Sequence, residues 1–303
     1  MMTRFLDVRT WKVGGPLAHR VAVFHGTSID DYTGYDEAQL TKDISGQNVL
    51  LVTHGFNVNR QDGIACLSNW ESLILQQLPL NWIFIGILWP GDSIWLHGLD
   101  YPEEPKLADH AGKLLGPWLD KLLVSAATVN FASHSLGARL ILQTVRNMQR
   151  PPDRAILMAG AIDDNCLSHE FAPEASRIAS LSVLASKSDD VLKLIFPIGN
   201  LAGGILDEGH PWLNAALGRT GPVPIEAAPA SFQGSWQIPD GWGYGHHNYL
   251  QVTPPPPATP ILPAGTDVPP QTWPIPTLQA NGKPLPGWSE AFSSAFAATR
   301  LKR

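Results

Sequence analysis

The sequence predicts an α/β protein, a mostly parallel central sheet with helices on both faces. Three observations carry this prediction. Short apolar, β-branched runs recur at 48–53, 82–89, 127–132, 154–162 and 178–185. Segments of helical spacing lie between them. The runs are apolar on both faces, as strands are when helices cover both sides of a parallel sheet.

Each element has its own signal. Residues 48–53 read Asn-Val-Leu-Leu-Val-Thr, a buried strand, and from Arg60 onward Ile64, Leu67 and Glu71 mark a helix. The run 82–89 stops at Pro90-Gly91. Residues 106–123 place Leu107, Ala111, Leu114, Leu115, Trp118 and Leu122 on one stripe, the strongest amphipathic helix in the chain. After the run 127–132, the segment 136–148 carries Ile141, Val145 and Met148 on one face. Residues 195–235 hold seven glycines and five prolines, and fit a lid or pocket wall as well as an irregular surface excursion.

Composition divides the chain at about residue 251. Twelve of the 33 residues from Pro254 to Pro286 are proline. Proline fixes φ and lacks a backbone donor, so neither helix nor central strand is open to this stretch. The expected organisation is a globular domain over 1–250 and an extended strap over 251–303, ending in a short helix with Ser289 as N-cap.

The same arithmetic excludes several functions. Lys plus Arg is 21 against 27 Asp plus Glu, a net charge of −6, and there is no basic cluster to track a phosphate backbone. No apolar run approaches the roughly 20 residues needed to span a bilayer. Arg4, Asp7, Arg9 and Lys12 disqualify the first 13 residues as a secretory signal, so the expected compartment is the cytoplasm. Cys66 and Cys166 allow a single bridge, but two buried free thiols are the expectation. Neither metal-ligand spacing nor a nucleotide-binding glycine pattern occurs, so no metal and no cofactor is expected.

The chemistry concentrates in two segments. Ser133-His134-Ser135-Leu136-Gly137 lies between a strand and a helix, where a tight turn demands small residues on either side of a serine nucleophile. Such an elbow presents Oγ and sets the next amides at a helix N-terminus, which favours a developing anion. A plain N-cap serine is the competing structural reading. Thr53-His54-Gly55-Phe56-Asn57 comes directly after the first buried strand, about 80 residues earlier. Its glycine allows a sharp turn, and the pair of segments makes Phe56 and Leu136 the expected amide donors of an oxyanion hole.

With His54-Gly55-Phe56-Asn57, Trp89-Pro90 and Ser133-His134-Ser135-Leu136-Gly137 in this order, residues 19–250 resemble the α/β-hydrolase superfamily. More narrowly, they are similar to a bacterial family of α/β-hydrolases of unassigned function. Gly91 and Ala138 depart from the serine and asparagine frequent at those places in that family. The resemblance implies a sheet of about eight strands and the chain order nucleophile, acid, histidine. It favours Asp189, at the end of the run 178–185, as the acid, with Asp190 next and Asp163 as the rival after the earlier strand. The competing reading is that Asp189 and Asp190 cap the next helix. In Gly245-His246-His247-Asn248-Tyr249 the resemblance selects His247 as the base, with His246 the alternative.

The implied activity is a serine hydrolase that cleaves small-molecule carboxylic esters through an acyl-enzyme on Ser135. An amidase, peptidase or thioesterase on the same site and a non-catalytic binding module on the same fold are the alternatives. Asn57, His134, Trp89, Trp212 and Trp242 are the expected pocket residues, which suits a substrate with an apolar or aromatic group. His134 is also read as a packing residue of the elbow.

Overall fold

The structure, a computed structural model, describes residues 2–10, 15–74, 81–91, 104–193, 215–238 and 245–249. Strands β1 (Thr3–Arg9), β2 (Leu17–Gly26) and β3 (Thr33–Gly34) come first, then α1 (Glu37–Ile44), β4 (Asn48–Thr53), α2 (Arg60–Ile74) and β5 (Trp82–Leu88). Next come α3 (Glu104–Leu122), β6 (Thr128–His134), α4 (Gly137–Asn147), β7 (Arg154–Met158), α5 (Ala172–Arg177), β8 (Ser180–Ser186), α6 (Leu217–Thr220) and β9 (Phe232–Ile238).

The strands form one sheet in the order β3-β2-β1-β5-β4-β6-β7-β8-β9. Every pairing from β1 to β9 is parallel, and β2 and β3 close the other edge antiparallel. The chain steps from β4 to β5 on one side and then returns to lay β6 on the other side of β4. The order therefore reverses between β4 and β6, the kind of position beside which open α/β sheets carry their sites. The register Thr53↔Ser133 sets the ends of β4 and β6 level, so the two loops emerge side by side.

The central strands match the apolar runs, whereas β1, β2, β3 and β9 do not announce themselves. β1 is buried although it carries Thr3, Asp7 and Arg9. Each is satisfied from far along the chain: Thr3 by Glu71, Asp7 by the Tyr32 hydroxyl at 3.0 Å and Arg60 Nε at 2.9 Å. The Arg9 guanidinium donates to the Val58 carbonyl at 2.9 Å. Buried charge is tolerated when paired in this way. These bonds also tie the end of β1 to the chain entering α2, beside the loop leaving β4.

Helices α3 and α4 lie close because glycines face the contact. A Cβ added at Gly112 would meet Gln143 Cβ at 2.6 Å, and one at Gly116 would meet Asn147 Cβ at 2.7 Å. Cys66 and Cys166 are buried free thiols.

The segment 195–235 differs from the excursion that its composition suggests. Its described part, from residue 215, pairs Ala216 with Asp163, forms α6 and begins β9. A Cβ at Gly218 would fall 2.1 Å from the Ala159 backbone, so this part is packed hard onto the end of β7. Residues 195–214 and the strap 251–303 with its Ser289 cap lie outside the described residues. Among the described residues, no helix is long and apolar enough to cross a membrane.

Candidate active site

β6 ends at His134 and α4 begins at Gly137, which leaves Ser135 at the corner with φ 54°. A non-glycine residue in the left-handed region costs about 1–3 kcal/mol and persists only where its surroundings over-determine it. The surroundings here do so. The Ser135 amide donates to the Met158 carbonyl at 2.9 Å, extending the β6–β7 ladder past the end of β6, while its own carbonyl accepts from Ala138 at 3.1 Å.

Two glycines let the elbow and the loop after β4 interlock. A Cβ at Gly137 would lie 2.6 Å from the His54 carbonyl oxygen, and a Cβ at Gly55 would lie 2.6 Å from Ser135 Cβ. The loop is braced from behind. Trp89 stacks on His54 with ring centroids 5.7 Å apart, and its indole N–H donates to the His54 carbonyl at 3.0 Å. Burial, with the Arg9 charge nearby, lowers the His54 pKa to about 3, so this ring is neutral and structural. Its own Nδ1 lies 2.9 Å from the Gly55 carbonyl, and the Asn57 amide donates to the Gly91 carbonyl at 2.5 Å.

The imidazole that meets the serine is that of His246. Its Nε2 lies 2.9 Å from Ser135 Oγ, and its Nδ1 lies 2.8 Å from Asp189 Oδ2. The second carboxylate oxygen, Asp189 Oδ1, accepts the Leu192 amide at 2.9 Å. Asp189 thus fills the capping role and faces the histidine at once, with no exposed surface of its own. An ionised carboxylate can only accept, so Nδ1 carries the proton and Nε2 is left as the acceptor for the serine hydroxyl.

The geometry brings His246, and not the preferred His247, to the elbow. Residues 246–248 form a single 3₁₀ turn, in which successive side chains point about 120° apart, so only one of two neighbouring histidines can face the elbow. His246 faces it and is buried, whereas His247 is exposed. Of the candidate acids, the position of Asp189 is the one that matches. Asp190 is exposed, and the carboxylate that the structure sets against His246 is that of Asp189.

The expected pocket residues divide. Trp89 has no exposed surface, so it braces the loop instead of lining an opening. Asn57 is exposed, with a φ of 58°. Trp212 and Trp242 lie outside the described residues. Phe56 directly follows Gly55, and Leu136 is the N-cap residue of α4. His134 is fully enclosed beside His246, a contact whose partner, 112 residues away, no local pattern signals. Among the described residues, no group of three or more His, Cys, Asp or Glu is placed to hold a metal ion.

A family model described as an alpha/beta hydrolase of unknown function (DUF900) matches residues 35–201. No curated protein matches the chain. Among solved structures, esterase PE8 is 15% identical with a TM-score of 0.38, over 67% of this chain and 86% of that one. Esterase 2 of Thermogutta terrifontis, phosphorylated by paraoxon, is 10% identical with a TM-score of 0.38, over 79% and 84%. MenH from S. aureus is 14% identical with a TM-score of 0.30, over 53% and 83%. Likeness this distant carries no information about substrate.

Proposed function

The chain belongs to this family of α/β-hydrolases of unknown function, and from that premise we propose that it is a serine hydrolase cleaving carboxylic esters of small molecules. The observation that carries the reading is the buried relay of Asp189, His246 and Ser135, joined at 2.8 and 2.9 Å.

A free serine hydroxyl is a weak nucleophile and needs a base within hydrogen-bond reach. His246 Nε2 takes the Oγ proton as Oγ attacks the ester carbonyl carbon, and the carbonyl π electrons move onto its oxygen. That oxyanion is met by the amides of Leu136 and Phe56, one at the start of α4 and one following the glycine that abuts Ser135. Asp189 holds the tautomer and stabilises the imidazolium. The tetrahedral species collapses, the C–O bond to the alcohol breaks, and His246 returns the proton to the leaving oxygen. Water, deprotonated by the same nitrogen, then attacks the acyl-serine, the acyl–Oγ bond breaks to release the acid, and His246 returns the proton to Ser135 Oγ.

The test is labelling with a fluorophosphonate, followed by mass spectrometry of the modified peptide, beside a panel of p-nitrophenyl esters, thioesters and anilides. An adduct on Ser135, turnover of esters ahead of the other two classes, and loss of both in Ser135→Ala are expected. Hydrolysis by Ser135→Ala at the wild-type rate would overturn the reading. A folded wild-type protein that takes no label and turns over nothing would leave a binding module on the same fold.

A further inference from the structure

The relay leaves one buried titratable group in direct contact with it and without a chemical role. His134 Nε2 lies 2.8 Å from the backbone carbonyl oxygen of His246, and the two rings are 4.8 Å apart. A carbonyl only accepts, so the proton sits on Nε2 and His134 is a donor here. The ring is then neutral with a bare Nδ1, and that atom is buried without a hydrogen-bond partner. A Cβ at Gly55 would be only 3.2 Å from it, so the loop is closed against this atom. A buried acceptor left unmade is costly, and an apolar side chain of similar volume would avoid the cost. What the imidazole supplies and an apolar residue cannot is the bond to His246.

That bond has a particular geometry. His134 and Ser135 are adjacent on the elbow, and each is hydrogen-bonded to His246, one to its backbone and one to its ring. Asp189 fixes a third point at Nδ1. Without the backbone point, the ring remains tied to Asp189 but the 3₁₀ turn that carries it loses its hydrogen bond to the elbow. Reactive geometry is lost over displacements of about 1 Å, which cost on the order of 10²-fold in rate.

We propose that His134 is a positioning residue of this site: its Nε2–H holds the His246 carbonyl and so sets the imidazole against the Oγ of the neighbouring Ser135. The role rests on the reading of His246 as the base for Ser135. Burial and the neighbouring His246 hold the His134 pKa well below its ordinary value, so the donor stays neutral and puts no second cation beside the imidazolium.

The test compares His134→Leu, which fills the space without a donor, with His134→Gln, whose side-chain amide nitrogen reaches as far as Nε2. His134→Asn, whose amide stops near the position of Nδ1, replaces Leu if that variant does not fold. Leu or Asn is expected to lower kcat roughly 10–100-fold with KM within about threefold, and Gln to recover most of the loss. The low-field proton resonance of His246 Nδ1–H is expected to persist in wild type and Gln, and to broaden or shift in Leu or Asn. Wild-type kcat in Leu or Asn, or Gln no better than they are, overturns the positioning role. If wild type neither hydrolyses esters nor takes the fluorophosphonate, the serine-hydrolase reading fails first. The resonance still decides whether His134 holds the His246 turn.

Discussion

Gly55→Ala offers the sharpest quantitative test, because the structure says where the added methyl goes. Gly55 is not among the positive-φ residues, so alanine is compatible with its backbone and the penalty is steric alone. The new Cβ would sit 2.6 Å from Ser135 Cβ and 3.2 Å from the His134 carbonyl oxygen. Carbon atoms rest at roughly 3.5 Å or beyond, so about 0.9 Å must be found. Neither side yields cheaply. Ser135 already sits at φ 54° with its amide bound to Met158, and the loop is held by the Trp89 indole and the Asn57 amide. Overpacking of this kind costs about 1–3 kcal/mol, which for a chain of this size lowers Tm by roughly 2–12 °C. Displacement of the nucleophile by nearly 1 Å is expected to reduce kcat on the order of 10²-fold. Ester hydrolysis and thermal unfolding are measured side by side, with Gly34→Ala as control, since a Cβ there meets nothing within 4 Å. A Gly55→Ala protein with kcat within threefold of wild type and an unchanged Tm would refute the close approach of loop and elbow.

The remaining expectations are simpler. His246→Gln is expected to lower kcat roughly 10²–10⁴-fold, the usual worth of a general base, and His247→Gln to stay within about threefold; the reverse order in an ester assay would return the base to position 247. Acid should destabilise the fold through its buried neutral histidines. His54 has a folded pKa of about 3 against 6.5 for the free side chain, so between those values the unfolded chain binds the extra proton. Stability is therefore lost as pH falls from about 6.5 toward 3, by about 1.4 kcal/mol per unit for each such group, and His134 acts in the same direction. Denaturant midpoints from pH 7 to 5 check this. The slope should shrink in His54→Asn, and an unaltered slope would remove His54 from the account.

Some of this was legible in one dimension because the signals were local. A run such as Asn48–Thr53 is apolar from Val49 to Val52 and so leaves no face for water, and the small residues about Ser135 mark an elbow, although the contact that demands Gly137 comes from His54. Asp189 stood out as a candidate because it lies just beyond the end of a buried strand. β1 was hidden because Thr3, Asp7 and Arg9 read as surface charge until Glu71, Tyr32, Arg60 and Val58 arrive from elsewhere to satisfy them. β2 and β9 were hidden because strands toward the sheet edges need not be continuously apolar, and the β2 residues Arg20 and His19 are not buried.

The choice between His246 and His247 belongs to the same class of question. Both have the right chemistry and stand one residue apart, and nothing in their neighbours records how the turn is rotated. That rotation is set by where His134, Ser135 and Asp189 stand in space, more than 50 residues away in each case. Amino-acid type and local spacing state which groups are available for proton transfer. Which of them share a hydrogen bond is a matter of long-range packing, since hydrogen bonds form only within about 3 Å and the chain brings such partners together solely by folding.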